Sequence, residues 1–170
     1  MIENLYTQTY QEALIMHESG KGQAEILNFI ASAAETAAGR GTAVSILLLD
    51  KDGLLRNAAS PKLPEDYLQA IDGLKPHPEV GTCAAAAATG CVVLTPSFYA
   101  DNKWAELRHL PLSLGYLGAW SMPIKTPDNK VIGTFGTYFR QHREPSVAEL
   151  TGTELLVSAV ATVLATPQQN

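Results

Sequence analysis

The sequence predicts an α+β domain, a mostly antiparallel sheet of five to six strands with helices gathered against it, and three observations carry that expectation. Apolar residues recur at helical spacing at both ends of the chain. Between those ends, short β-rich runs come in pairs joined by turn-forming residues. No internal repeat, low-complexity tail or linker divides the 170 residues, so residues 1–170 are expected to form one unit.

Residues 3–18 place Leu5, Tyr6, Ala13, Leu14 and Met16 on a helix that ends at Ser19-Gly20-Lys21-Gly22. The string Glu3 to Gln8 is one residue away from a common protease-tag site, but it runs into this helix without a break and reads as native. Residues 23–38 repeat the pattern with Ile26, Leu27, Ile30, Ala31, Ala34 and Ala37, and stop at Gly39-Arg40-Gly41. Thr42 to Asp50 is an apolar run, and the turn Asp50-Lys51-Asp52-Gly53 pairs it with Leu54 to Ala59 as a hairpin. Pro64 opens a helix to Ile71 with Glu65 and Asp66 in its first turn, where the helix dipole favours acids.

Gly81 and Gly90 bracket an alanine-rich helix, followed by a strand from Cys91 to Thr95, a loop, and a short helix near Trp104 to His109. Strands from Leu117 to Thr126 and from Val131 to Arg140 are joined by the turn residues Pro127 to Lys130. Residues 146–165 close the chain as a helix, with Ser146 and Glu149 spaced as a capping box. From Leu155 to Ala165 this helix is apolar almost all round, so the first helix or a second copy of the chain must cover its outer face.

Composition narrows the function. A net charge of −5, with Lys and Arg scattered singly, offers no footprint for nucleic acid or for an anionic membrane surface. No apolar run approaches the roughly 20 residues that cross a bilayer, and Met1-Ile2-Glu3-Asn4 lacks the basic and apolar parts of a signal peptide, so a cytoplasmic protein is expected. Cys83 and Cys91 fit small reduced thiols better than a disulfide. His17, His77, His109 and His142 lie singly, without a ligand-spaced partner, so neither a metal nor another cofactor is expected. Nucleophile-elbow, phosphate-loop and dinucleotide patterns are absent, and no catalytic residue is expected.

What remains is a binding site. Backbone N–H groups at Cys83, Ala84 and Ala85, unopposed by bulky side chains, can hold a small anion or a ligand carbonyl. The same alanines also serve close packing of a helix on a sheet. Trp104 follows a polar loop and either roofs the pocket or packs as a plain core aromatic. Ser97, Phe98 and Tyr99 lie mid-loop, and two exposed aromatics there would be wasteful, so at least one is expected to turn inward. Trp120 alternates with Met122 and Ile124 and reads as core. The expected ligand-binding set is Cys83, Ala84, Ala85, Ser97, Phe98, Tyr99 and Trp104.

Four segments carry a family resemblance. Glu79-Val-Gly-Thr-Cys-Ala-Ala-Ala86 resembles a Gly-Ser-Cys-Gly-x-Ala helix start, and Asp101-Asn-Lys-Trp104 resembles Asp-Pro-x-Trp. Trp120-Ser-Met-Pro-Ile124 resembles Trp-Ser-x-Pro-Ile, and Val131 to Tyr138 resembles a Val-x-Gly-Thr-Phe strand. In this order and spacing they are similar to the GAF domain, the small-molecule sensory module of many bacterial signalling proteins, with residues 43–165 matching its core and residues 1–40 supplying the N-terminal helices. Ala84 stands where that family usually has glycine, and Pro96-Ser97-Phe98 replaces an acidic residue followed by isoleucine, so the ligand does not carry over.

The resemblance implies that the N- and C-terminal helices pack on one face of the sheet and the pocket-forming helices and loops on the other. It also implies a non-enzymatic sensor of a small molecule or small anion, a homodimer through the terminal helices, and a partner such as a histidine kinase or another regulator in two-component-type signalling. The competing reading is a redox enzyme using Cys83 and Cys91, since free methionine sulfoxide reductases are GAF-like and carry a Gly-x-Cys-Gly motif where this chain has Gly81-Thr82-Cys83. Those enzymes attack with a further cysteine before the later strand, and the stretch from His109 to Ala119 contains none.

Overall fold

Side-chain alternation sorts each strand into two faces, and both faces are buried under helices. In the computed structural model, which describes residues 2–165, the strands are β1 (Ala43–Leu49), β2 (Leu55–Ala59), β3 (Val93–Thr95), β4 (Gly118–Lys125) and β5 (Val131–Phe139). Met1 and residues 166–170 of the expected unit lie outside the described residues. The sheet runs in the order β2-β1-β5-β4-β3 and every neighbouring pair is antiparallel. Five strands and an α+β plan are what the sequence predicts.

One face holds the larger core. Val44 and Ile46 from β1, Trp120, Met122 and Ile124 from β4, and Phe135 and Phe139 from β5 pack against α1 (Ile2–Glu18), α2 (Gln23–Ala38) and α6 (Val147–Ala165). The expected stripe of α2, from Ile26 to Ala37, is buried throughout. The opposite face carries Ala43, Leu47, Ala119, Gly136 and Tyr138 under α3 (Glu65–Ile71), α4 (Cys83–Thr89) and α5 (His109–Ser113).

Two elements differ from the expectation. The strand expected from Cys91 begins only at Val93, because Gly90 ends α4 in the left-handed conformation and the Cys91 N–H donates to Thr89 Oγ1, which keeps the chain turning. The helix expected near Trp104 to His109 divides into a single 3-10 turn, Asn102–Trp104, and α5, which starts at His109 and holds Pro111 in its first turn.

The capping box forms as expected: Ser146 Oγ accepts from the Glu149 N–H at 3.1 Å, and Glu149 Oε1 accepts from the Ser146 N–H at 2.9 Å. Arg143 closes a two-armed pair on the same carboxylate at 2.7 and 3.0 Å. Burial pushes the Glu149 carboxyl up, but Arg143 and Ser146 outweigh it and hold the group below the usual carboxylate range.

The expectation about apolar length fails for α6. At 19 residues and a mean hydropathy of 1.5, Val147–Ala165 is long and apolar enough to cross a membrane by composition. In the fold Leu156, Ala159, Val160 and Val163 are buried against the sheet and its helices, α1 packs across one side, and the outer stripe of Thr151, Glu154, Ser158 and Thr162 stays exposed. That crossing depends on Gly152, because a Cβ there would run into the Tyr6 ring. The Tyr6 hydroxyl is pushed up to about 12 by burial and by Glu149. Gly152→Ala is therefore expected to destabilise the fold by about 1–3 kcal/mol through overpacking, read as a lowered urea midpoint, with Tyr6→Leu in the same chain restoring part of the loss.

Candidate ligand site beneath the Trp104 loop

The site is organised by a chain of hydrogen bonds between segments far apart in sequence. Trp104 is 4% exposed and its indole Nε1 donates to Thr82 Oγ1 at 2.7 Å. Thr82 Oγ1 lies 2.9 Å from Thr95 Oγ1, which donates to Asp101 Oδ2 at 2.9 Å. An ionised Asp101 only accepts, so Thr95 gives its proton to Asp101 and takes one from Thr82, whose oxygen in turn takes the indole proton. The direction of the whole relay is thus set by one carboxylate.

Asp101 is itself anchored from the loop. Its Oδ1 accepts from the Lys103 backbone N–H at 3.0 Å, capping the 3-10 turn, and from the Lys103 ammonium at 3.0 Å. Burial pushes the Asp101 carboxyl up, but Lys103 and Thr95 together outweigh it, so the group sits below the usual carboxylate range. Gly81, at φ +60, donates its N–H to the Lys103 carbonyl at 2.8 Å, which ties the loop to the start of α4 a second time.

Beneath the relay lies an aromatic layer. Phe98 is fully buried, with its ring edge-on to Trp104 at 4.6 Å between centroids. Tyr138 on β5 is 6.3 Å from Phe98 and 5.6 Å from Tyr116. The Tyr67 hydroxyl on α3 donates to the Tyr138 hydroxyl at 2.7 Å. Burial pushes both phenols well above their ordinary value, so they stay neutral donors and acceptors.

Alpha4 lies close on the sheet because its alanines have no bulk: Ala84, Ala85, Ala86 and Ala87 are all buried. The Cys83 thiol rests on bare backbone, since a Cβ at Gly136 would come within 2.8 Å of its sulfur. Around it stand the hydroxyls of Ser121 and Thr134, both fully buried and neither with a hydrogen-bond partner of normal geometry among the described residues. Burial pushes the Cys83 thiol up, and those two hydroxyls pull it only part of the way back. A protonated thiol is a weak nucleophile.

Of the expected ligand-binding residues, the fold brings Cys83, Ala84, Phe98 and Trp104 to one face of the sheet, with Ala85 buried in the same helix as the first two. Tyr99 points away, 61% exposed, with its ring 6.3 Å from His142. Ser97 is half-buried and its carbonyl accepts from the Asp101 N–H at 3.2 Å. Trp104 gives its indole proton to Thr82. Thr82, Thr95, Asp101 and the Tyr67–Tyr138 pair were not part of the expected set. Asp101 alone had a local signal, as an acid placed to cap the turn before Trp104. Cys91 is exposed past the far end of α4, and an α-helical rise of about 1.5 Å per residue separates it from Cys83 by roughly 10 Å.

Because Asp101 titrates lower in the folded chain than its unfolded value near 4, its contribution is present above that value and is lost as pH falls through the folded one. Trp104 emission is therefore expected to stay constant from pH 7 to about 5 and to change below about 4. Asp101→Asn should remove that acid step, and a step of unchanged size in the variant would assign it to another group.

The sequence profile of the GAF domain family matches residues 21–165. A curated relative, the methyl sulfide methyltransferase-associated sensor of Methanosarcina acetivorans, is 31% identical over 133 residues, which are 78% of this chain and 13% of that protein. The chain therefore spans only about an eighth of the curated relative it matches. Among solved structures, the GAF domain from a phosphoenolpyruvate-protein phosphotransferase of Coxiella burnetii superposes with a TM-score of 0.76 at 12% identity, covering 96% of this chain and 94% of the other. Free methionine-R-sulfoxide reductase from Neisseria meningitidis, solved in complex with its substrate, gives 0.73 at 15% identity, covering 96% and 90%. These two likenesses establish the fold, and the match over residues 21–165 establishes the family: the chain belongs to the GAF domains, a family of sensory modules.

Proposed function

We propose that this chain is a ligand-binding regulatory module that receives a small molecule or small anion between α4 and the loop of residues 96–104 and passes the event to a signalling partner. The observation that carries this reading is the relay from Trp104 through Thr82 and Thr95 to Asp101, which fastens a loop bearing two buried aromatics onto the helix start. A ligand that offers Thr82 or the α4 amides a better partner would release Trp104, and one with equal affinity for the fastened and released states would shift nothing. The name of the curated relative as a sensor supports the same reading.

In this proposal the terminal helices carry the output. Alpha1 and α6 leave Leu5, Ile15 and Val147 exposed at 42%, 62% and 79%, a surface suited to a second copy of the chain in a two-fold helical bundle. The partner is a histidine kinase or another regulator of two-component type, and the module acts in the cytoplasm. No reaction is assigned to it.

The reductase reading has one observation in its favour, the shared fold with an enzyme that turns over free methionine sulfoxide. Against it, bridged cysteines need Cα atoms within about 7 Å, whereas Cys83 opens α4 and Cys91 lies past its far end. The Cys83 thiol is also desolvated.

Calorimetry with a panel of small anions and neutral metabolites is expected to give saturable binding by at least one member, weakened about tenfold or more in Trp104→Ala. No binding by any member would contradict the proposal. In parallel, thioredoxin-coupled turnover of methionine sulfoxide should not exceed that of the Cys83→Ser/Cys91→Ser chain, and turnover lost in the double variant would establish the enzyme instead.

A further inference from the structure

A cationic recess opens where α2 runs out, β1 begins and β5 ends, lined by none of the residues of the Trp104 loop. Its volume is about 550 Å³, and its walls include Gly39, Arg40, Gly41, Arg140, Gln141 and Arg143. Three of the five arginines of a chain with net charge −5 thus face one space, and no aspartate or glutamate lines it.

Two of the three guanidiniums are already ordered by other contacts. Arg140 donates through Nη1 to the Leu114 carbonyl at 2.7 Å and lies 4.5 Å from the centre of the Tyr116 ring. Arg143 lies 3.7 Å over Phe139 while it grips Glu149. Arg40 is exposed and makes no ion pair among the described residues, and neither does Arg140. Gly41, at φ +76, keeps the floor bare: a Cβ there would sit 3.0 Å from Arg140 Cδ.

The nearby acids do not neutralise this group. Glu149 is committed to Arg143, and the Glu144 carboxylate forms no ion pair with the three among the described residues, although its backbone carbonyl accepts from Arg143 Nη1 at 3.1 Å. Glu35 is buried, accepts the Val44 N–H at 2.9 Å, and is pushed above the usual carboxylate range by burial. Arg40 and Arg140 are therefore left as like charges across an open space, which is stable only with an anion or with bulk solvent between them.

We propose that this recess binds a phosphate group, free or as the head of a small phosphate ester. The fork of a guanidinium matches two oxygens of a tetrahedral oxyanion, and a dianion relieves the repulsion between two arginines. The recess is larger than one phosphate requires, which leaves room for the carbon portion of an ester. Arg140 also braces Tyr116, which packs on Tyr138 under the loop, so an occupied recess draws on a side chain that supports the aromatic layer.

Backbone amide NMR on the full chain tests the proposal. Titration with inorganic phosphate and with glycerol 3-phosphate is expected to move the Gly39 and Gly41 signals along a saturable curve, while sodium chloride at matched ionic strength does not. Tighter binding of the ester assigns the ester head group, and equal or weaker binding assigns free phosphate. Arg40→Ala, at an exposed position, should keep the fold and weaken binding about tenfold. Arg140→Lys keeps the charge but loses the fork, and should weaken it several-fold. Shifts reproduced by chloride, or unchanged in Arg40→Ala, would overturn the proposal, and neither result bears on ligand binding beneath Trp104.

Discussion

A single indole proton does much of the positioning on the α4 side of this protein's sheet. Donated from Trp104 to Thr82, it joins a loop that has no strand or long helix of its own to the start of α4, and the donor is buried, so the bond cannot be exchanged for water without opening the loop. Thr82 can accept it because its own proton goes to Thr95, and Thr95 can take that proton because its own goes to Asp101. Each bond in the series depends on the next, and the series ends on a carboxylate that Lys103 keeps ionised.

The two faces of the sheet use different physics. Toward α1, α2 and α6 the strands present Trp120, Phe135, Phe139 and branched aliphatics, a core held by apolar burial in which the Trp120 indole N–H also lacks a hydrogen-bond partner among the described residues. Toward α4 they present Ser121, Thr134 and bare Gly136, and the helix meets them with a thiol and four alanines. Small side chains bring the helix close, and hydroxyls without full partners in that contact are the kind of group a polar ligand can satisfy.

Much of this fold was legible in the sequence because its elements are marked locally. The α2 stripe, the Asp50–Gly53 hairpin, the Ser146–Glu149 box and the Gly90 helix end each depend on residues within one turn or two of one another. The site was legible in part. Phe98 and Trp104 could be placed inward because exposing them is costly, and Tyr99, next to Phe98, was the one that turned out. The relay was not legible, since Thr82 is 13 residues from Thr95 and 22 from Trp104, and a threonine hydroxyl announces no partner. The same holds for Tyr67 and Tyr138, 71 residues apart. The apolar surround of α6 was visible, but that Tyr6 of α1 would fill the notch at Gly152 was a matter of packing.

Hydrogen exchange on the chain carrying Thr82→Val tests the central claim most directly, because valine keeps the shape and removes the shared hydroxyl. If the relay fastens the loop, the amides of Gly81, Lys103 and Trp104, which are bonded to loop acceptors, should lose protection together while the β4–β5 amides keep theirs. Unchanged protection at all three positions would show that the loop is held by apolar packing of Phe98 and Trp104 alone, and the account built on the relay would fall.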